Sequence, residues 1–197
     1  AKAYLYKGLV HKQRKEVEQA AEAFALSEQW FEGVEDNQYK ALLYNHFGLL
    51  MKSEENFVGA LHYLKKTYHY ELKGDSAYYA MLTCSSIANV YELLGGLDSA
   101  KSYFEKGLQC KDRISSSRYF IYVKDYANFL RKNGEYDKAE LMLLEREQHI
   151  ADERRYSLYS SLATLYYEME EYHKALAYAE KVVESGDSVV VRGGLLN

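Results

Sequence analysis

Histidines and paired carboxylates are the side chains of this 197-residue chain whose types most directly suggest metal or acid–base chemistry. A metal site on a helix needs ligands about one turn apart, whereas His62 and His69 are separated by seven residues, or two turns. The pairs Glu54-Glu55 and Glu170-Glu171 stand directly before apolar helical patterns. Because acidic groups there stabilise the positive end of the helix dipole, we interpret both pairs as solvated helix starts.

The chain contains none of the sequence motifs of the common catalytic and nucleotide-binding sites. GxGxxG, GxxxxGKS/T, HExxH, GxSxG and EF-hand patterns are all absent. Cys84 and Cys110 fall in no CxxC spacing, and we interpret them as small, buried hydrophobic residues. The sequence therefore predicts a protein that is not an enzyme and that holds no metal and no other cofactor.

Composition and charge narrow the class of partner. The net charge is −4 and the pI is about 5.9, whereas direct nucleic-acid binding usually requires a basic surface. No apolar run approaches the ~20 residues that a membrane-spanning helix needs. We therefore expect neither direct nucleic-acid binding nor a membrane span in this segment. The sequence does not decide the cellular compartment. The cytoplasm is slightly favoured over an extracytoplasmic location, to which a signal peptide that is later removed would direct the chain.

A repeat of small residues organises the chain. Glycine or alanine recurs at intervals of 40, 40, 39 and 36 residues, and an alanine follows each of these small residues twelve positions later. Large residues at spacings of three and four surround both small sites, as on the buried face of a helix. The five pairs are Gly8 and Ala20, Gly48 and Ala60, Ala88 and Ala100, Ala127 and Ala139, and Ala163 and Ala175.

Short polar segments lie between the two small sites of each repeat. Examples are Leu94-Gly95-Gly96 and Lys132-Asn133-Gly134-Glu135, whose compositions are typical of tight turns. The complete absence of proline is compatible with uninterrupted helices. Each repeat is therefore predicted to be two antiparallel helices joined by a tight turn, with small residues that let the helix axes approach closely. The predicted fold class is all-α.

This pattern resembles the tetratricopeptide repeat family, most closely from Tyr159 to Glu184, where the order is Leu-Ala-x2-Tyr-x5-Tyr-x2-Ala. The resemblance implies an α-solenoid, a superhelix of stacked antiparallel helix hairpins, over nearly the whole chain. The usual period of the family is 34 residues, and its proline after the second helix is missing here, so we expect longer helices and longer loops. We place the repeats of one array, 1–187, near residues 1–36, 37–75, 76–115, 116–152 and 153–187.

The last ten residues are interpreted separately. Gly186-Asp187-Ser188 repeats the order of Gly74-Asp75-Ser76, after which a new helix is expected to begin. Residues 188–197 are therefore expected to be the start of a truncated sixth repeat or, alternatively, a frayed tail. Because neither end carries a polar capping segment, we expect a piece of a longer protein whose terminal repeats favour self-association.

The resemblance also implies that the first helix of each repeat lines a concave groove. Carried over to this sequence, the groove positions hold amide, hydroxyl and basic side chains that suit an extended peptide. Lys124 and Asn128 resemble half of the clamp with which some members of the family hold a C-terminal carboxylate, and Arg131 adds a second cation. The predicted groove residues are Asn45, His46, Ser85, Asn89, Lys124, Asn128, Arg131, Ser160, Thr164 and Tyr167.

Two functional hypotheses are compatible with such an array. The first is a non-catalytic scaffold that binds a protein or peptide segment in its concave groove. The alternative is the sensor or regulatory arm of a larger signalling or transcription-regulator protein whose output domain lies outside this sequence.

Overall fold

Ten α-helices make up most of residues 1–194, which are the residues that the computed structural model describes. For residues 117, 152, 153 and 186–194 it describes the backbone alone. No helix in this described part of the chain is long and apolar enough to cross a membrane. The helices are α1 Lys2–Gln13, α2 Val17–Trp30, α3 Asn37–Ser53, α4 Phe57–Lys73, α5 Ala77–Leu93, α6 Leu97–Leu108, α7 Ser116–Lys132, α8 Tyr136–Glu147, α9 Asp152–Glu168 and α10 Tyr172–Gly194.

Consecutive helices pack in pairs as hairpins. In a first compact unit, Ala1–Arg113, α1 packs against α2, α3 against α4 and α5 against α6. In a second unit, Ile114–Asn197, α7 packs against α8 and α9 against α10. Among the described residues there is no strand, so the predicted all-α class of paired helices is confirmed.

The small residues of the repeat lie where the two helices of a hairpin come closest. A Cβ atom added at Gly8 would lie 2.5 Å from the Phe24 ring, and one added at Gly48 would lie 2.9 Å from Leu64 Cγ. The alanines twelve positions later are all buried, as the sequence predicts. Their exposed fractions are 0% for Ala20, Ala60, Ala100 and Ala139 and 9% for Ala175. Larger side chains would force the paired helices apart, which explains the fixed spacing of small residues.

The five hairpin turns share one backbone geometry. Each has a residue in the left-handed region, with φ between 56° and 75°, seven positions after the first small residue. The next amide then bonds back to the carbonyl five residues earlier, as when Glu135 N–H donates to Leu130 O at 2.9 Å. The left-handed residues are Lys15, Glu55, Gly95, Gly134 and Glu170. The position and backbone conformation of the turn therefore recur with the repeat, as the helices do.

Tyrosines and lysines connect successive hairpins inside each unit. In the first unit the Lys66 ammonium lies 2.6 Å from Glu28 Oε1 of the preceding hairpin and 4.9 Å from the centre of the Tyr44 ring. In the second unit Lys181 Nζ lies 3.0 Å from Glu147 Oε1. At half-exposed sites each cation–π contact of this kind is worth roughly 0.5–1 kcal/mol. Such contacts account for part of the use of 21 tyrosines in this chain.

The end of the chain differs from the expectation. Sequence reasoning predicts a turn at Gly186-Asp187-Ser188, but α10 continues through this segment to Gly194. A helix tolerates an internal glycine at a cost of about 1 kcal/mol, so the Gly-Asp-Ser order alone does not end it. The assignment of residues 188–197 to a truncated sixth repeat or a frayed tail stays a prediction, and residues 195–197 lie outside the described ones. The repeat boundaries remain a prediction.

Candidate functional site

A cleft of about 270 Å³ lies in the second unit between α7 and α9, with α8 beneath it. The lining residues of α7 are spaced by three, one and three positions, so they share one face of that helix. The same holds for the α9 residues, which are spaced by one, three and one. The lining consists of Lys124, Ala127, Asn128 and Arg131 of α7, Ala139 and Leu143 of α8, and Ser160, Ser161, Thr164 and Leu165 of α9.

The floor of the cleft is built from the small residues of the fourth repeat. Ala127 and Ala139 are 3% and 0% exposed, and their short side chains form part of this floor. Leu143 and Leu165, both buried, close the floor with apolar surface. The residues that let α7 and α8 approach each other thus also leave room for a ligand beside them.

Two cations lie on the α7 side of the cleft, in different states of pairing. The Arg131 guanidinium donates to the Glu168 carboxylate and, at 2.8 Å, to Asn128 Oδ1. The exposed Lys124 ammonium lies 3.5 Å from Ser157 Oγ, at the limit of a hydrogen bond. Lys124 therefore keeps most of its donor capacity, whereas Arg131 is already partly neutralised.

The hydroxyl groups on the α9 side act as donors to their own helix. Thr164 Oγ1 donates to Ser160 O, and Ser161 Oγ donates to Ser157 O, both at 2.9 Å. Each hydroxyl oxygen keeps lone pairs that accept further hydrogen bonds. Asn128 uses its carbonyl oxygen on Arg131, so its amide N–H groups are the donors that it offers to a ligand. The cleft thus presents donors on α7 and acceptors on α9.

The cleft lacks the groups that would activate a hydroxyl as a nucleophile. Among the described side chains that line it there is no histidine, carboxylate or thiolate to serve as general base. Over all described residues, no three His, Cys, Asp or Glu side chains come together as a metal-binding set. The ammonium, guanidinium, amide and hydroxyl groups of the lining can recognise a ligand by hydrogen bonding and charge.

Comparison with known proteins agrees with this architecture. The family model for the tetratricopeptide repeat matches residues 157–186. The apo form of RapI is similar to this chain at TM-score 0.79 and 18% identity, over 94% of this chain and 53% of RapI. The chain has a tetratricopeptide-repeat fold.

Other solved structures have the same fold at low identity. BtubC from P. vanneervenii matches at TM-score 0.76 and 12% identity, over 92% of this chain and 78% of BtubC. A putative kinesin light chain of P. anserina with nearly identical TPR-like repeats matches at TM-score 0.74 and 13% identity, over 95% of each chain. No curated protein sequence matches the chain at a significant level.

Five of the ten predicted groove residues line the cleft of the second unit. These are Lys124, Asn128, Arg131, Ser160 and Thr164. Tyr167 is 66% exposed and, with Tyr172, lines a separate shallow depression of about 460 Å³ that it shares with Thr164. The two tyrosine rings meet edge to face at 5.9 Å.

The other four predicted residues lie in the repeats of the first unit. Asn45 lines a second cavity, of about 490 Å³. His46 is half-buried with its Nδ1 atom 3.4 Å from Lys12 Nζ; burial, together with the Lys12 charge, lowers its pKa to about 4. Asn89 is half-buried and lines neither this cavity nor the cleft of the second unit.

Ser85 was predicted as a groove residue, and this is wrong as far as access is concerned. Its exposed fraction is 3%, so a ligand cannot reach its hydroxyl. The equivalent position in the fourth repeat is Lys124, which is exposed. A lysine extends past its neighbours into solvent, whereas a serine is covered by them.

Sequence reasoning missed the contribution of the second helices. Ala139 and Leu143 of α8 form part of the cleft floor, although groove positions were carried over from first helices alone. Glu71 of α4, a buried carboxylic acid, lines the cavity beside Asn45. The available signal for Glu71 was its place in the sequence, since it follows Ala60, Leu64 and Thr67 on the apolar face of α4.

Proposed function

We propose that this tetratricopeptide-repeat protein is a non-catalytic scaffold and that its second unit binds a polypeptide segment bearing a carboxylate. The observation that carries the proposal is the cleft itself. It collects an ammonium, a guanidinium, an amide and three hydroxyl groups over an apolar floor. Small-ligand and peptide sites commonly combine an apolar floor with a few convergent polar groups in this way.

The chemistry of the lining favours an extended peptide over other ligands. A peptide backbone offers carbonyl acceptors to Asn128 and N–H donors to the Thr164 and Ser161 oxygens. Lys124, with spare donor capacity, then pairs with a side-chain or terminal carboxylate of the peptide. A net hydrogen bond to a charged group is worth about 1.5–3 kcal/mol, whereas one between neutral groups gives about 0.5–1.5 kcal/mol. Lys124 is therefore expected to be the main anchor.

The test is a selection of ligands from a random 12-residue peptide display library on the purified full chain. Recovered peptides are then synthesised, and their Kd is measured by fluorescence anisotropy on wild type, Lys124→Ala and Asn128→Ala. We expect the recovered peptides to be enriched in Asp, Glu or a free C-terminus. Lys124→Ala should raise the Kd of these peptides by about tenfold to a hundredfold, as the loss of one charged hydrogen bond implies.

Lys138→Ala is the matched control, because Lys138 is an exposed lysine of α8 that does not line the cleft. It should leave Kd unchanged, and melting curves of all variants should stay close to that of wild type. Peptides without acidic groups, or acidic peptides that bind Lys124→Ala as tightly as wild type, would overturn the proposed site.

A further inference from the structure

A carboxylic acid without a charged partner is buried in the first unit. Glu71, in the last turns of α4, is 8% exposed. The Thr83 hydroxyl of α5 donates a hydrogen bond to its carboxyl group. The second oxygen, Oε2, is buried and has no hydrogen-bond partner. No ion pair between Glu71 and another described residue relieves this burial.

Glu71 lines the cavity of about 490 Å³ that also contains Asn45. The cavity lies where the start of α3, the end of α4 and the start of α5 meet. The rest of its lining combines amide, hydroxyl and aromatic side chains with two aliphatic residues and a glycine. These residues are Asn37, Gln38, Ala41, Leu42, Asn45, Tyr70, Gly74, Ser76 and Tyr79.

A carboxylate buried without a partner is energetically unfavourable, and a ligand that supplies the missing donor relieves it. A cation does so best, because it satisfies both the charge and the hydrogen-bonding capacity of the carboxylate. The aromatic lining is compatible with a cation as well. The ammonium groups of Lys40 and Lys73 lie 5.3 Å and 5.9 Å from the centre of the Tyr70 ring, so a bound cation gains its main attraction from Glu71 and is repelled by these two charges.

We propose that this cavity binds an ammonium or guanidinium group of a ligand, with Glu71 as its carboxylate partner. Such a group is supplied by a small amine or by a Lys or Arg side chain of a bound peptide. The site is separate from the carboxylate-binding cleft proposed above and selects the opposite charge.

Proton binding is coupled to this site. Burial raises the pKa of Glu71 to about 7, so near neutral pH the carboxyl group is divided between its neutral and ionised forms. A cation binds the ionised form. Because the ionised fraction rises about tenfold between pH 6 and pH 8 for a pKa of 7, affinity should rise by the same factor.

The other charged and ionisable groups on the helices around Glu71 include two lysines, a paired aspartate, a thiol and an exposed histidine. Lys40 on α3 and Lys73 on α4 are cations, and Asp75 after α4 pairs with Arg113. Burial raises the pKa of Cys84 on α5 to about 12. His69 on α4 is exposed, and it is removed in a control variant.

The experiment follows the Glu71 carboxyl carbon by NMR in the full chain labelled with ¹³C-glutamate, with Glu71→Gln used for assignment. n-Butylammonium chloride is titrated against the neutral control n-butanol. In a second arm, acetyl-Gly-Arg-Gly-amide is titrated against the same peptide with citrulline in place of arginine. We expect at least one of the two cations to lower the pH midpoint of Glu71 and to bind about tenfold more tightly at pH 8 than at pH 6. A response to both cations assigns the site to the bare cationic group, and a response to the arginine peptide alone assigns it to a peptide side chain.

Glu71→Gln should abolish this binding, whereas His69→Gln should leave both the binding and its pH dependence in place. The glutamine variant keeps the shape of the side chain without its charge, so its melting temperature at pH 8 should not fall. The proposal is overturned if neither cation moves the Glu71 midpoint, or if Glu71→Gln binds the cations as wild type does.

Discussion

The hairpin turns allow a quantitative prediction at Gly134, the left-handed residue between α7 and α8. Its φ is 75°, and a Cβ atom added there would have no neighbour within 4 Å. Gly134→Ala therefore introduces no clash, and its cost is that of the backbone conformation. A left-handed L-residue costs about 1–2 kcal/mol, and the loss of glycine freedom in the unfolded chain offsets about 0.4–1 kcal/mol of this. We expect a net destabilisation of about 1 kcal/mol.

The same unit also has a left-handed turn residue that is not glycine. Glu170, between α9 and α10, has a φ of 61° although it is not glycine. Glu170→Gly should release the strain and stabilise the chain by about 0.5–1 kcal/mol, whereas Glu170→Ala keeps the strain and removes the charge. The difference in free energy of unfolding between the glycine and alanine forms should therefore be similar at positions 134 and 170, even though one native residue is glycine and the other is not.

Urea unfolding followed by circular dichroism measures these differences in the full chain, with the slope m compared between variants to show that the unfolded states are equivalent. A change of 1 kcal/mol should also move the melting temperature by about 2–4 °C for a chain of this size. The explanation of the shared turn would be refuted if Gly134→Ala unfolded at the wild-type urea concentration, or if Glu170→Gly were less stable than Glu170→Ala.

Three further predictions concern the core and the two binding sites. Protonation of Glu71 favours the folded state, because its pKa is about 7 there and 4.5 ordinarily. Stability should therefore fall by about 3 kcal/mol as the pH rises from 4.5 to 7 and beyond, and Glu71→Gln should remove this fall in urea titrations at several pH values. Glu168→Gln removes the charge that partly neutralises Arg131. Acidic peptides selected on the cleft should then bind several-fold more tightly in anisotropy titrations. Unchanged or weaker binding would contradict this role of Glu168. Ala60→Leu overpacks the cluster of Ala60, Leu64, Ile87 and Val90 and should cost about 1–3 kcal/mol in urea unfolding, whereas a neutral effect would mean that this crossing has room to spare.

The hairpins could be predicted from the sequence because small residues at a close helix crossing have few substitutes. Any side chain larger than Ala at position 60 or 139 would have to displace a neighbour, so the pattern stays visible in the sequence. The turns were predicted from short polar segments between the small residues, and at two of them Gly95 and Gly134 fit the left-handed conformation without strain. Glu55 and Glu170 adopt the same conformation, but their residue type carries no such signal, and the same local backbone hydrogen bonds close both turns.

The candidate site was predictable to the extent that the groove positions implied by the tetratricopeptide-repeat resemblance apply here. Those positions grouped Lys124 with Asn128 and Arg131, and Ser160 with Thr164, and residues three and four apart share a helix face. Exposure was not predictable in this way, because it depends on what the neighbouring helix covers. Ser85 is buried at the repeat position where Lys124 is exposed, and this difference arises from side-chain length and packing.

The two proposed sites place opposite charges on one architecture. The small residues and the left-handed turns are fixed by the backbone, so they recur in every hairpin and say nothing about ligands. Residues that face the clefts are under no such constraint, and they differ between the two units. One cleft has Lys124 and Arg131 on a first helix, whereas the other has Glu71 on a second helix, where the family pattern places core residues. A buried glutamate at a core position costs stability that an apolar residue would not, and binding is the property that such a cost would serve.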